Sequence, residues 1–232
     1  MTLLSFEHVQ LRHPENRSSL LLDDICLQLA SGELVAIWGK RRSGRSSLLR
    51  LACGLIPPDG GTVCFDGRPL RGPTAIGRGI AYCSESFRFG EAWSVERELT
   101  EVQLARGVSR SLARQRAQQA LERTGAQALS ERLLRSLHGA QRTRAMLALA
   151  LTSSPKLLVI DDVVAGVGLT DRMAILRLLR SLADEGMSVL TSTDETPALA
   201  GADRALTLSD GRLHGRLATE LAEVLPLRAA EH

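Results

Sequence analysis

The sequence predicts an α/β fold in which a parallel sheet is covered by helices on both faces. Three observations point there. Short apolar runs of strand length alternate with stretches of helical spacing. A glycine-bearing loop, GKRRSGRSS at 39–47, joins one such run to one such stretch. From about Phe87 to Gly139 the texture changes to charged helix. Strands that alternate with helices are connected by crossovers, and crossovers set strands side by side in parallel.

Taken in order, LLSFEHVQLRH alternates as a strand and LLLDDICLQL reads as a second. SGE is a turn into the buried run LVAIW. After the glycine loop, apolar residues at 48, 49, 51, 52 and 55 predict a helix over Ser47–Leu55, closed by Gly54 and Pro57–Pro58. GTVCFDGRPL is a short strand and turn. SVERELTEVQLARG and SLARQRAQQALERTG fall within 87–139, read as a helical subdomain inserted in a single domain of residues 1–232. AQRTRAMLALALTSSP has the composition of a buried helix and KLLVIDD that of a buried strand. A helix (DRMAILRLLRSLADEG), a strand (MSVLTST) and a hairpin-like stretch (RALTLSDGRLHGRL) follow.

Composition narrows the function classes. The 29 basic and 26 acidic residues leave a net charge of only +3, spread along the chain, and aromatics make up 3%. Neither a basic stripe nor a stacking platform is present, so nucleic acid is not the expected partner. Cys26, Cys53, Cys64 and Cys83 show neither CxxC nor histidine spacing and are expected to be reduced core residues of a cytoplasmic protein. His8, His214 and His232 likewise have no partner spacing for a metal. The opening residues lack a basic-then-apolar pattern, so no leader is expected, and no apolar run approaches the ~20 residues that span a bilayer. A membrane role is therefore expected only through a partner.

Two stretches carry chemistry on their own. A G-x4-G-K-[ST] loop works because its backbone N–H groups and a helix N-terminus point at phosphates, its lysine reaches the β/γ-phosphates, and its hydroxyl holds magnesium. Gly39, Gly44 and Ser46 satisfy that frame, but Arg45 takes the lysine's place. In LLVIDD, an apolar strand delivers Asp161 to its C-terminal edge, where a carboxylate can assist a magnesium ion; Asp162 follows where a hydrolytic base could stand.

A third stretch, LHGAQRTRAMLALAL at 137–151, brings a family into view. The chain resembles the nucleotide-binding subunit of ATP-binding cassette (ABC) transporters over essentially its whole length. LHGAQ stands for that family's LSGGQ signature. GRSSLLRLACGLIPPDGGTVCFDGRPL, DVVAGVG and ADRALTLSDGRL follow its pattern in the right order. The resemblance implies a P-loop NTPase core with a mixed or parallel sheet, N-terminal antiparallel strands and an inserted helical subdomain. It implies ATP and Mg2+ as cofactors, a transmembrane permease as partner, and a second cassette in a homo- or heterodimer. Each nucleotide then touches one subunit's phosphate loop and the other's signature. A place at the inner face of the cell membrane follows from the same resemblance, and the chain's length is closer to export or lipid-handling cassettes than to sugar importers.

Carried over residue by residue, the resemblance assigns nucleotide binding to Gly39, Arg42, Ser43, Gly44, Arg45, Ser46 and Ser47, with His13 loosely in place of the adenine-stacking aromatic. Metal binding falls to Ser46, Asp161 and Glu85, and the catalytic positions to Asp162, Glu85 and Asp194. The signature is Leu137, His138, Gly139, Ala140 and Gln141. Almost every chemical position departs from the pattern. Arg42 replaces a flexible glycine, Arg45 the lysine, Glu85 a glutamine, and Asp162 the catalytic glutamate. His138 and Ala140 replace the signature's serine and second glycine, Gly168 an aspartate, and Asp194 the switch histidine. Arginine's planar fork does not act as lysine's point charge. Asp162 is one methylene short for a base that must reach a water. The expectation is a cassette that folds normally and hydrolyses ATP slowly or not at all. The alternative is a nucleotide-free scaffold in which Arg42 and Arg45 pair with Asp161, Asp162 or Asp194.

Overall fold

The computed structural model describes residues 1–72, 79–84, 92–162, 167–195 and 201–217. Strands β1 (Thr2–Arg12), β2 (Leu20–Ala30), β4 (Gly60–Phe65) and β5 (Arg68–Pro69) form an antiparallel sheet in the order β2-β1-β4-β5. A second sheet holds β3 (Leu34–Trp38), β6 (Ile80–Ser84), β7 (Leu157–Asp161), β8 (Ser188–Thr193), β9 (Arg204–Ser209) and β10 (Arg212–Leu217). Its order is β10-β9-β3-β8-β7-β6, parallel throughout except where β10 turns back on β9. Strand β6 is an element that the sequence reading did not single out.

Alternation along these strands separates two cores. Ala36, Ala81, Cys83, Leu158, Ile160 and Val189 face one side, where α2 (Val95–Ala105), α3 (Arg110–Arg123), α4 (Gly139–Leu151) and α5 (Leu169–Asp184) contribute to the core. Val35, Ile37, Leu157, Val159 and Leu190 face the other, with α1 (Arg45–Ala52) and the antiparallel sheet. Buried on both faces, the parallel strands favour apolar residues at successive positions, hence the near-continuous runs LVAIW and LLVI. Helix α1 is too short to be stable alone, and the burial of Leu48, Leu49 and Leu51 holds it.

The first helix differs from its expected bounds: it starts two residues earlier and stops at Ala52. The stop is a left-handed C-terminal cap. Gly54 has φ 67°, its N–H donates to Leu51 O at 2.9 Å, and Leu55 N–H donates to Arg50 O at 2.9 Å. Leu55 therefore packs beyond the helix. The cysteine expectation is corrected in part. Cys53 and Cys83 are buried and Cys64 partly so, but Cys26 is exposed on β2; all four are free thiols. An alternating strand with one face to solvent explains Cys26, since its neighbours Ile25 and Leu27 are buried.

Candidate functional site

Register fixes the site at the carboxyl edge of the parallel strands. Ser84, Asp161 and Ser192 stand side by side across β6, β7 and β8, and Trp38 pairs with Thr193. In an open parallel sheet this edge is where ligands bind. The loop at 39–44 leaves β3 here and turns into α1.

The loop's backbone has little freedom. Gly39 N–H donates to Thr193 O at 3.2 Å. A Cβ on Gly39 would lie 2.6 Å from Ser43 Oγ and 2.9 Å from Leu208 O, so only glycine fits. Ser43 N–H donates to Lys40 O at 3.1 Å, Arg42 takes a left-handed φ of 65°, and Gly44 caps α1 at φ 99°. The Arg42 side chain is exposed, so the cost of the non-glycine residue is backbone strain of about 1–2 kcal/mol rather than crowding within the loop.

Asp161 is buried and receives hydroxyl donors from three sides. Ser46 Oγ lies 3.1 Å and Ser192 Oγ 2.9 Å from Oδ1, and Tyr82 OH donates to Oδ2 at 3.0 Å. Burial, reinforced by the Asp161 charge, pushes the Tyr82 phenol above its ordinary range and keeps it a donor. Ser192 and Tyr82 are site residues that the sequence reading missed. The polar end of MSVLTST carried a signal for Ser192, because a hydroxyl within a fully buried strand must find an acceptor.

The next residue has a different setting. Asp162 takes a left-handed φ of 54°, and its Oδ2 lies 3.8 Å from Arg45 Nη2. Asp194 Oδ2 lies 3.8 Å from the same nitrogen. Arg45 is buried at 8% exposure, and its Nη1 has no hydrogen-bond partner among the described residues; the same holds for the Ser43 hydroxyl. Trp38 Nε1 donates to Asp194 O at 3.2 Å and ties that carboxylate's backbone to β3.

The structure thus brings together Gly39, Ser43, Gly44, Arg45, Ser46, Ser47, Asp161, Asp162 and Asp194 around one strand edge and one helix start. The expected ion network is corrected in membership: Arg45 joins Asp162 and Asp194, Asp161 is held by hydroxyls instead, and Arg42 joins no ion pair among the described residues. Glu85 lies outside the described residues. His13 sits in the β1–β2 connection, where its Nδ1 accepts from Glu15 N–H at 3.3 Å and its N–H donates to Ser19 O at 2.9 Å. Both bonds serve a local turn.

Residues 137–141 are elsewhere. Leu137 is buried, whereas His138, Gly139 and Gln141 are exposed at the start of α4, with Ala140 partly covered. That helix packs on the sheet face opposite to α1. The sequence-predicted positions therefore form two separate groups within one chain.

The arrangement fits a phosphate-bearing ligand with a magnesium ion. Ser46 Oγ and Asp161 Oδ1, 3.1 Å apart, would offer two oxygen donors to such a metal. The orphaned Arg45 Nη1 and Ser43 hydroxyl are buried donors that an anion would satisfy.

A family model described as "ABC transporter" matches residues 22–165, more than half of the chain. Among curated relatives, a Fe(3+) ions import ATP-binding protein of Streptomyces coelicolor is 32% identical, over 91% of this chain and 61% of its own length. A ribose import ATP-binding protein of Rubrobacter xylanophilus is 30% identical, over 87% of this chain and 43% of its own. An energy-coupling factor transporter ATP-binding protein of Lacticaseibacillus paracasei is 29% identical, over 91% of this chain and 77% of its own. The chain thus spans about half the length of several relatives it matches. In fold it is similar to the dimeric post-hydrolysis ATP-binding cassette MJ0796 bound to ADP and Pi, with TM-score 0.84, 19% identity, and coverage of 93% and 99% of the two chains. It is equally similar to cbiO1 of Clostridium perfringens, with TM-score 0.85, 22% identity, and coverage of 96% and 91%. Among the described residues, no helix is long and apolar enough to cross a membrane.

Proposed function

Because this chain belongs to the ABC transporter family as a nucleotide-binding cassette, we propose that it is an ATP-binding subunit with slow or absent hydrolysis. It works with a transmembrane permease and a second cassette, at the inner face of the cell membrane. The observation that carries the reading is Arg45 held between Asp162 and Asp194, each at 3.8 Å. Two carboxylates share one fork at the loop where phosphates would bind. Asp194 stands where the family has a histidine, and a like-charge contact of its carboxylate with a phosphate oxygen at ~5 Å costs about 3 kcal/mol at an effective dielectric of ~20, whereas Asp162 keeps the charge of the glutamate it replaces. Asp162, partly covered and one methylene shorter than glutamate, has less reach toward an attacking water.

The separation of phosphate loop and signature onto opposite sheet faces supports a second subunit. The exposed His138–Gln141 start of α4 would meet a partner's phosphate loop, and this chain's loop would meet the partner's signature. The stretch SFRFGEAWSVERELTE, residues 86–101, would receive the permease; residues 86–91 of it lie outside the described residues. There Ser94 caps α2 by accepting Arg97 N–H, and the Arg97 guanidinium stacks 5.1 Å from the Trp93 ring centre.

A second reading is a nucleotide-free pseudo-ATPase acting as a structural or regulatory scaffold in a membrane complex. It is favoured by the same pairing, which already partly satisfies Arg45. Calorimetry with Mg-ATP and turnover assays on one preparation separate the two. Micromolar heat of binding with feeble turnover supports the first reading, absence of binding supports the second, and brisk turnover by the isolated chain contradicts both.

A further inference from the structure

Two irregularities in the antiparallel sheet lie next to each other. Along β1 and β2 the pairing runs Phe6 with Leu27, Val9 with Ile25, and Leu11 with Leu22. Between the first two pairs, Glu7 and His8 oppose the single residue Cys26. Between the next two, Gln10 opposes Asp23 and Asp24. Around the Val9–Ile25 pair, β1 therefore carries one extra residue on one side and β2 one on the other. The bulged residues His8 and Asp24 are non-glycine yet left-handed, at φ 51° and 54°. Such bulges re-aim side chains locally.

The third strand leaves room for the distortion. Gly61 of β4 lies opposite the β1 bulge, and a Cβ there would stand 2.3 Å from His8 O and 2.4 Å from Glu7 O. Only a glycine lets the bulged backbone pass. Three exposed donors of different kinds converge as a result. His8 Nδ1 lies 2.7 Å from Asp24 Oδ1 and 3.7 Å from Cys26 Sγ, and the donor atoms of all three residues lie within 4.8 Å of one another. The sequence reading found no metal spacing for His8, because the partners stand 16 and 18 residues away and only the bulged register unites them.

We propose that His8, Asp24 and Cys26 form a binding site for a soft divalent transition-metal ion of the zinc type, completed by water. Tetrahedral bonds of ~2.0–2.3 Å set an imidazole nitrogen and a thiolate sulfur about 3.6 Å apart, close to the spacing found here. The nitrogen–carboxylate pair must open from hydrogen-bond length to about 3.4 Å, which two exposed side chains can do by rotation. A thiolate with an imidazole selects zinc, cobalt or copper over magnesium and calcium, which prefer oxygen. A surface depression of about 350 Å³, bordered by His8, Cys26 and Arg204, leaves the fourth position open to solvent. Binding would release the thiol proton, so affinity rises with pH.

Cobalt(II) titration of the full chain in reducing buffer tests the site, because a thiolate–cobalt bond gives an intense near-ultraviolet charge-transfer band that oxygen-only sites do not. The expected result is one equivalent of cobalt bound with that band and displaced by zinc. Cys26→Ser and His8→Ala should abolish the band, Asp24→Asn should weaken binding about tenfold or more, and Cys64→Ser should leave it intact. All three ligands are exposed, so circular dichroism of each variant should stay that of the parent. Absence of the band in the parent chain, or its persistence in Cys26→Ser, overturns the proposal. Neither outcome depends on whether nucleotide binds at the phosphate loop.

Discussion

Asp161 and Asp162 are adjacent in sequence and differ in almost everything physical. The first ends a buried strand, accepts from Ser46, Ser192 and Tyr82, and belongs to the scaffold that shapes the strand edge. The second sits just past the strand in left-handed backbone and shares Arg45 with Asp194 across looser contacts of 3.8 Å. One carboxylate is held by neutral hydroxyls that also leave it able to serve a metal. The other belongs to a cluster of charges that a phosphate would have to enter. On the reading proposed above, the framework of the site would fit its ligand and the added charge of Asp194 would oppose it.

Removing either carboxylate tests that contrast, and the largest effect is expected for the first. Asp161→Ala strands the buried Ser192 hydroxyl and two partly buried donors, Ser46 and Tyr82, and should cost about 3 kcal/mol of unfolding free energy in urea titrations. Asp162→Ala should cost less than about 1 kcal/mol, since the residue is partly exposed and Arg45 keeps Asp194 as a partner. Comparable losses for the two would mean that the hydroxyl donors anchor Asp161 no better than Arg45 anchors Asp162. Gly39→Ala is expected to destabilise by about 2–3 kcal/mol and to abolish nucleotide binding, because the Leu208 carbonyl cannot move aside cheaply. Retained calorimetric binding in that variant would show that the loop is not the site.

The charge cluster gives subtler signals. Asp194→Asn removes one carboxylate beside Arg45 and should tighten Mg-ATP binding about tenfold, equivalent to ~1.4 kcal/mol. An unchanged or weaker affinity would mean that the carboxylate serves the ligand.

The smallest effect lies outside the site, at Asp203. Burial works against its charge, yet the Leu34 N–H at 2.8 Å and Arg180 at 2.9 Å outweigh burial and hold the carboxyl below its usual range. A lowered folded value stabilises above the unfolded value of ~3.9 and is lost as pH falls through the folded one. Asp203→Asn should therefore narrow the gap in stability between pH 7 and pH 3, by under about 1 kcal/mol after solvent screening. Equal pH dependence in parent and variant would show that the pair contributes nothing.

The sequence made the framework legible because frameworks are periodic. LVAIW and LLVI announce strands buried on both faces, and Gly39 and Gly44 bracket a loop between strand and helix. What stayed hidden depends on register. Nothing in the order of residues says that Ser192 and Tyr82 donate to Asp161, or that Arg45 rather than Arg42 turns toward the acids. The His8–Asp24–Cys26 group was hidden for the same reason, since two bulges decide which side chains meet. Helix α1 ended early because Gly54 closes a hydrogen-bonded cap, a local geometry that outweighed the apolar spacing carried on to Leu55.

We propose that the Arg45 cluster, and not a failed scaffold, slows bond cleavage. Single-turnover ATP cleavage at saturating Mg-ATP tests it, comparing the parent with the triple variant Arg45→Lys, Asp162→Glu, Asp194→His, both checked for folding. Cleavage by the parent should be near background and that by the triple variant at least about tenfold faster. Parent cleavage as fast as that of a folded triple variant would contradict it.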